Sequence, residues 1–255
     1  MDERLNREKS RGLTGSALRT WGFLFLIVGA VGRGLIQNGI LDLNHMTGES
    51  LLEAMDQSGE VMALVSVTLV LQAVESCAVP IFAFLLLEGF LHTSNFKNYF
   101  LRVLGVAVIS EIPYNLAVGG GFWVTSSRNP VFGMVLALIL LYFYGNYGSA
   151  NVLIKILVTF AAVLWCEMLD IEYGTFIVVL TATLWLMRGK PMYRNFVGCG
   201  VAVVCTLISP YYLASPMGFL AVHFYNGERG EGNRLFNYLC YPVLLLAVGI
   251  VGMFI

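Results

Sequence analysis

Dominantly apolar stretches, too long and too closely spaced for a soluble core, follow one another through most of this chain; residues 61–91 and 235–255 are the clearest. A helix needs about 20 apolar residues to cross the hydrocarbon core of a bilayer. Backbone in lipid must satisfy its own hydrogen bonds, so such stretches fold as helices. They do not alternate apolar with polar, which argues against a β-barrel. Nine candidate spans can be drawn: 18–41, 61–91, 99–118, 130–147, 152–169, 173–187, 196–213, 215–226 and 235–255. Pro80 predicts a tilt or kink in the second. The eighth is short enough to be re-entrant. Composition agrees: 58% of the 255 residues are hydrophobic and 12% charged, too few to cover a water-facing surface. The expected fold is an all-α, polytopic transmembrane helix bundle of about nine spans, with a polar N-terminal tail over 1–17 and a single transmembrane domain over 18–255.

The tail has no A-x-A-like cleavage site after its apolar run, so it is not expected to be a signal peptide. It is expected to lie at the surface or to be partly disordered. In the nine-span arrangement all of the 15 Lys and Arg residues except Arg33 and Arg128 fall on one side. The acidic 42–60 loop falls on the other, with Asp170 and Glu172. The positive-inside rule then makes the N-terminus cytoplasmic and the C-terminus external, in a plasma or bacterial inner membrane. The net charge of −1 gives no attraction to nucleic acid. The lipid bilayer is the expected partner. Cys77, Cys166, Cys199, Cys205 and Cys240 each lie in an apolar run without CxxC spacing, and read as reduced packing residues. No metal site is expected.

An ionisable residue inside a span costs about 2.5–3.5 kcal/mol on insertion scales, so such residues mark candidate sites. Glu75 lies mid-span in the second run, and Glu88 and His92 lie at its cytoplasmic end. The i,i+4 spacing sets Glu88 and His92 on one helix face. Glu111 lies within the third run, and Pro113 just beyond it predicts a helix break that frees carbonyls nearby. Arg33, in the outer half of the first run, is placed either to snorkel to the interface or to join a polar network with Glu75. His45 in the acidic loop reads as solvated, and His223 as an interface or packing histidine. No P-loop, GxSxG, HExxH or dinucleotide fingerprint is present.

Several stretches resemble the TraX family. They are Pro80-Ile81-Phe82-Ala83-Phe84, then Glu88-Gly89-Phe90-x-His92-Thr93, Tyr99-Phe100-Leu101-Arg102 and Ile109-Ser110-Glu111-Ile112-Pro113-Tyr114. Asn129-Pro130-Val131-Phe132, Tyr225-Asn226-Gly227-x-Arg229-Gly230 and Tyr238-x-x-Tyr241-Pro242 continue the likeness, which covers roughly 72–245 in order. Three positions depart from the family pattern. Gly29-Ala30 stands where it has Asp-His, Glu75-Ser76 where it has Gly-Arg, and Leu244 where a histidine follows Tyr-Pro.

The resemblance implies an integral-membrane acyltransferase that moves an acyl (acetyl) group from cytoplasmic acyl-CoA to an amine or hydroxyl. The acceptor would be a peptide, lipid or glycan. In that expectation His92 and Glu88 are the catalytic pair, because a base must be oriented and must reach the proton it removes. Arg102 binds the donor's phosphates. Glu111, Asn115, Tyr225, Asn226 and Tyr241 supply further donor or substrate contacts. The replaced histidines favour a different expectation: a non-catalytic partner of another membrane protein, or a small-solute transport protein, in which Arg33, Glu75 and Glu111 form a structural or permeation network.

Overall fold

The computed structural model describes residues 12–43, 46–123, 127–147, 151–231 and 234–255, the side chains of 234–236 apart. His45 and the first eleven residues of the expected tail lie outside these.

Among the described residues the regular elements are all helices, joined by turns and two isolated β-bridges, Leu13 with Tyr225 and Arg128 with Ile171. Helix α1 (Gly15–Ala30) starts at a Thr14 N-cap and runs into a π-helical stretch, Val31–Ile40. Helix α2 (Gly48–Gln57) is a surface helix closed by a Thr47/Ser50 capping box, so the acidic segment read as a loop is largely helical. Helices α3 (Gly59–Glu75) and α4 (Ala78–Leu91) follow. Next come α5 (Phe96–Gly119), α6 (Val131–Asn146) and α7 (Val152–Met168). Helices α8 (Gly174–Leu186), α9 (Pro191–Cys205), α10 (Ser215–His223) and α11 (Arg234–Gly252) complete the bundle.

Local chemistry sets most of these ends. Asn95 and Asn151 accept hydrogen bonds from the first turns of α5 and α7, as N-cap side chains do. Pro191 opens α9, where its missing N–H costs nothing.

Where residues are buried distinguishes inner from outer helices. The centre is built by α4, α6 and α8, whose Phe84, Leu138, Leu141, Ile177, Leu180 and Leu184 are fully enclosed. Helix α7 is the opposite case. It buries only Ala162 and Cys166, and turns Leu153, Ile156, Leu157, Phe160 and Leu164 outward. An outward apolar face of this kind marks a surface for contact with a membrane or another protein.

Three helical stretches are long and apolar enough to cross a bilayer: Gly15–Ile40, Gly59–Leu91 and Phe96–Gly119. The others are shorter. Helix α10 has 9 residues, about 14 Å at 1.5 Å per residue, and the hydrocarbon core is about 30 Å thick. It does not cross by itself, so helix length does not establish nine spans. The expected 196–213 span also moves. Its helix starts earlier, at Pro191, and ends at Cys205, before turns that lead to Pro210.

Of two other expectations, one is met and one corrected. The kink expected in 61–91 is a break at Ser76–Cys77, one turn before Pro80. Pro80 sits in the first turn of α4, where a missing N–H is harmless. Pro113 does not break α5, which is continuous from Phe96 to Gly119. It removes only one ladder bond, to the carbonyl of Ile109.

Contacts define two ends of the bundle. At one end Phe90 packs on Phe96 and Trp185, Phe96 stacks on Tyr142, and Leu13 pairs with the backbone of Phe224 and Asn226. Residues 12–14 are therefore docked rather than free. At the other end Asn38 donates to the carbonyls of Ala117 and Val118, and Arg128 pairs through its backbone with Asp170 and Glu172.

Candidate functional site

A cavity of about 660 Å³ opens at the first of these ends and runs inward between α1, α4, α5 and α11. Its mouth is polar and cationic: Arg19, Arg102, Arg229, His92, Asn95 and Tyr225 line it. Its inner end reaches Glu75, Tyr173 and Tyr241. Apolar side chains such as Phe23, Leu26, Phe82 and Met134 form the walls between.

Glu88 and His92 occupy the last turn of α4 at the mouth. His92 caps the helix, its N–H donating to the Glu88 carbonyl. Its Nδ1 lies 2.9 Å from that carbonyl and 3.6 Å from the Glu88 carboxylate. The side chain is 74% exposed, so the ring stands in the opening rather than inside it. Arg194 of α9 approaches the other Glu88 oxygen at 3.9 Å and lies 4.7 Å over the Phe84 ring. Arg102 extends along the ring of Tyr99, whose hydroxyl donates to the Leu86 carbonyl at 3.3 Å.

The inner end is built by the break between α3 and α4 and by the π-helical turn facing it. Arg33 is 6% exposed, so it does not snorkel. It donates to Glu75 through one terminal nitrogen and to Glu172 through the other. Tyr114 donates to the second oxygen of Glu172. The wide turn at 31–40 carries Arg33 inward, and π-turns recur at functional sites. Position 29 opposes Glu75 so closely that a Cβ there would lie 2.0 Å from Oε2. Only glycine leaves the carboxylate its room.

A second cavity of about 1310 Å³ opens at the opposite end, lined by Arg33, Gln72, Glu167, Asp170 and Glu172 among others. Glu75 lines the first cavity, Arg33 and Glu172 line the second, and Tyr173 lines both. The buried ion cluster thus forms the wall between two cavities that open to opposite ends.

Of the sequence-based candidates, His92, Glu88, Arg102, Tyr225, Tyr241 and Glu75 come together around the first cavity. Glu111, Asn115 and Asn226 do not line it. Glu111 binds Arg128 at 3.3 Å and both nitrogens of Asn129, at 3.2 and 2.8 Å. Asn115 is buried at the end of α5, with its amide 3.5 Å from the Phe122 carbonyl. Asn226 organises the loop after α10, accepting from the Glu228 N–H at 2.9 Å. Sequence reasoning missed Glu172, Tyr114 and Arg194. Glu172 and Arg194 read as charges at span ends, and no local signal reveals a partner 139 residues away.

The TraX protein family description matches residues 40–252. The chain belongs to the TraX family. The matched region extends beyond the stretch that carries the quoted motifs and includes Glu75, Glu88, His92, Arg102 and Glu172; Gly29 and Arg33 precede it. The "Probable fimbrial assembly protein FimC, serogroup H1" of Dichelobacter nodosus is 25% identical over 211 residues, spanning 72% of this chain and 84% of that one. No solved structure matches this TraX protein.

Proposed function

We propose that this TraX-family protein is an integral-membrane acyltransferase that takes an acyl group from an acyl-CoA-type donor and passes it to an amine or hydroxyl acceptor. The observation that carries this reading is the first cavity. It has a cationic mouth, an apolar shaft and a buried carboxylate at its inner end. A donor with a phosphate-bearing head and a long thioester arm fits that order of surfaces. Guanidinium groups suit phosphate because they offer paired donors in a fixed fork. Arg102, Arg19 and Arg229 hold the head, beside His92 and Glu88, and Tyr225 and Tyr241 flank the arm. The name of the Dichelobacter relative favours an acceptor that belongs to an assembling fimbria. The paired cavities favour a second reading, a gated path for a small solute, in which the Arg33 cluster is the gate.

The cavity mouth is proposed to face the cytoplasm, where the acyl-CoA pool lies. Arg19, Lys97, Arg102, Lys155, Arg188 and Arg194 cluster at that end, and Glu49, Glu53, Asp56, Glu167 and Asp170 at the other, as the positive-inside rule requires. Antiparallel passage of successive helices then puts the C-terminus outside. A reporter fused after Ile255 should be active only if it works when translocated, and activity of a cytoplasm-dependent reporter would reverse the assignment.

Kinetics test the reading. Purified protein should release thiol from acetyl-CoA in the presence of an acceptor. Arg102→Ala and His92→Ala should each raise KM for acetyl-CoA. For Arg102→Ala the rise is about tenfold or more, since a hydrogen bond to a charged group contributes about 1.5–3 kcal/mol. The kcat should change little. Unaltered KM in both variants, with an active wild type, would remove the donor from this mouth. Downhill solute flux through reconstituted protein without thiol release would favour the gated path.

A further inference from the structure

We propose that Glu75 is the proton acceptor of the transfer reaction, an inference that rests on the acyltransferase reading above. Glu75 is 5% exposed and lines the inner end of the first cavity. Its two oxygens differ. Oε1 is held by Arg33, whereas Oε2 is buried and has no hydrogen-bond partner among the described residues. A buried carboxylate oxygen without a donor is costly to maintain, and this one belongs to a residue that lines the inner end of the cavity, so it is the acceptor left over for a proton delivered there. Oε2 packs against α1 at Gly29, where any added side chain would displace it. The ionisable groups around the carboxylate are Arg33, Glu172, Tyr173 and Tyr241. Arg33, itself anchored by Glu172, fixes the direction of the carboxylate.

The alternative base is His92, and its position is against it. The 14 residues of α4 lie between Glu75 and His92, a rise of about 21 Å, and the ring is mostly in solvent. A base in open water promotes hydrolysis of the thioester, whereas a base in a closed end excludes the competing water.

The step balances without a further reactant. The acceptor nitrogen or oxygen attacks the thioester carbonyl carbon, and the new C–N or C–O bond forms as the C–S bond breaks. The acceptor's proton passes to Glu75 Oε2 and from there to the departing thiolate, which leaves as the free thiol. Glu75 is regenerated.

The test compares purified wild type, Glu75→Gln and Gly29→Ala, using acetyl-CoA and thiol release to obtain kcat and KM across pH. Glu75→Gln keeps the shape and the Arg33 contact but cannot take a proton. Its kcat should fall by about 10²–10⁴-fold, with KM for acetyl-CoA within a few-fold of wild type and the acid limb of the kcat profile lost. Gly29→Ala displaces the carboxylate without removing its charge and should also lower kcat, which keeps the inference testable if Glu75→Gln does not fold. A Glu75→Gln protein with near-normal kcat, or a slow one that keeps its acid limb, overturns the assignment of Glu75 and leaves the acyltransferase reading standing. Unchanged kcat in Gly29→Ala overturns it likewise. An inactive wild type overturns the acyltransferase reading and this inference with it.

Discussion

Arg33→Leu should lower the melting temperature of the detergent-solubilised protein by roughly 6–20 °C. Breaking a buried ion pair from one side costs about 3–5 kcal/mol, and a chain of this size loses roughly 2–4 °C per kcal/mol. The cost is high because Arg33 compensates two carboxylates. Glu75 is buried almost completely, and Glu172 is part-buried against Tyr114. Without the guanidinium the two acids face each other with no cation between them. Arg33→Leu combined with Glu75→Leu should recover part of the loss, because contacting residues do not contribute additively. Melting of Arg33→Leu at the wild-type temperature would show that the cluster is not a structural lock between the cavities.

Gly218→Val should destabilise by roughly 3 kcal/mol or more, at the upper end of the overpacking range. A Cβ at 218 would lie 2.3 Å from the Cys77 carbonyl oxygen and 2.6 Å from Pro80 Cγ. One is backbone and the other a ring, so neither swings aside. Helix α10 thus presses on the break between α3 and α4, the turn that delivers Glu75. The same change should therefore impair thiol release as well as stability. Gly105→Ala is the control, since a Cβ there meets nothing within 4 Å. Equal melting of Gly218→Val and wild type would remove α10 from the support of the site.

The outer form of the bundle was legible because long apolar stretches bounded by polar caps have few alternatives. The expected 130–147, 152–169 and 173–187 lie within a residue or two of α6, α7 and α8. What escaped was set by tertiary packing. The π-helical turn at 31–40 depends on close approach to α3, α5 and α11. The short α10 is tolerated because it leans on α4 and α9, not because its own length suits a bilayer.

The site divides the same way. Arg33 and Glu75 stood out because charge inside an apolar run is expensive. Glu172 did not, because a glutamate between two spans normally meets water. Its neighbours Asp170 and Tyr173 adopt positive φ, 50° and 56°, in a tight turn that holds Glu172 against Arg33 and Tyr114. Glu111 drew notice as a carboxylate inside an apolar run, and its partner is the Arg128–Asn129 corner rather than the cavity. Asn115 and Asn226 were drawn in by motif alone, and both serve the backbone near them.

The central claim, that the first cavity carries acyl transfer, is tested most directly by incubating purified wild-type protein with acetyl-CoA and an amine or hydroxyl acceptor, and following free thiol and acetylated acceptor together. The account predicts that both appear in equal amounts and that both are lost in Glu75→Gln. Absence of acetylated acceptor across peptide, lipid and glycan acceptors, with correctly folded protein, would contradict it.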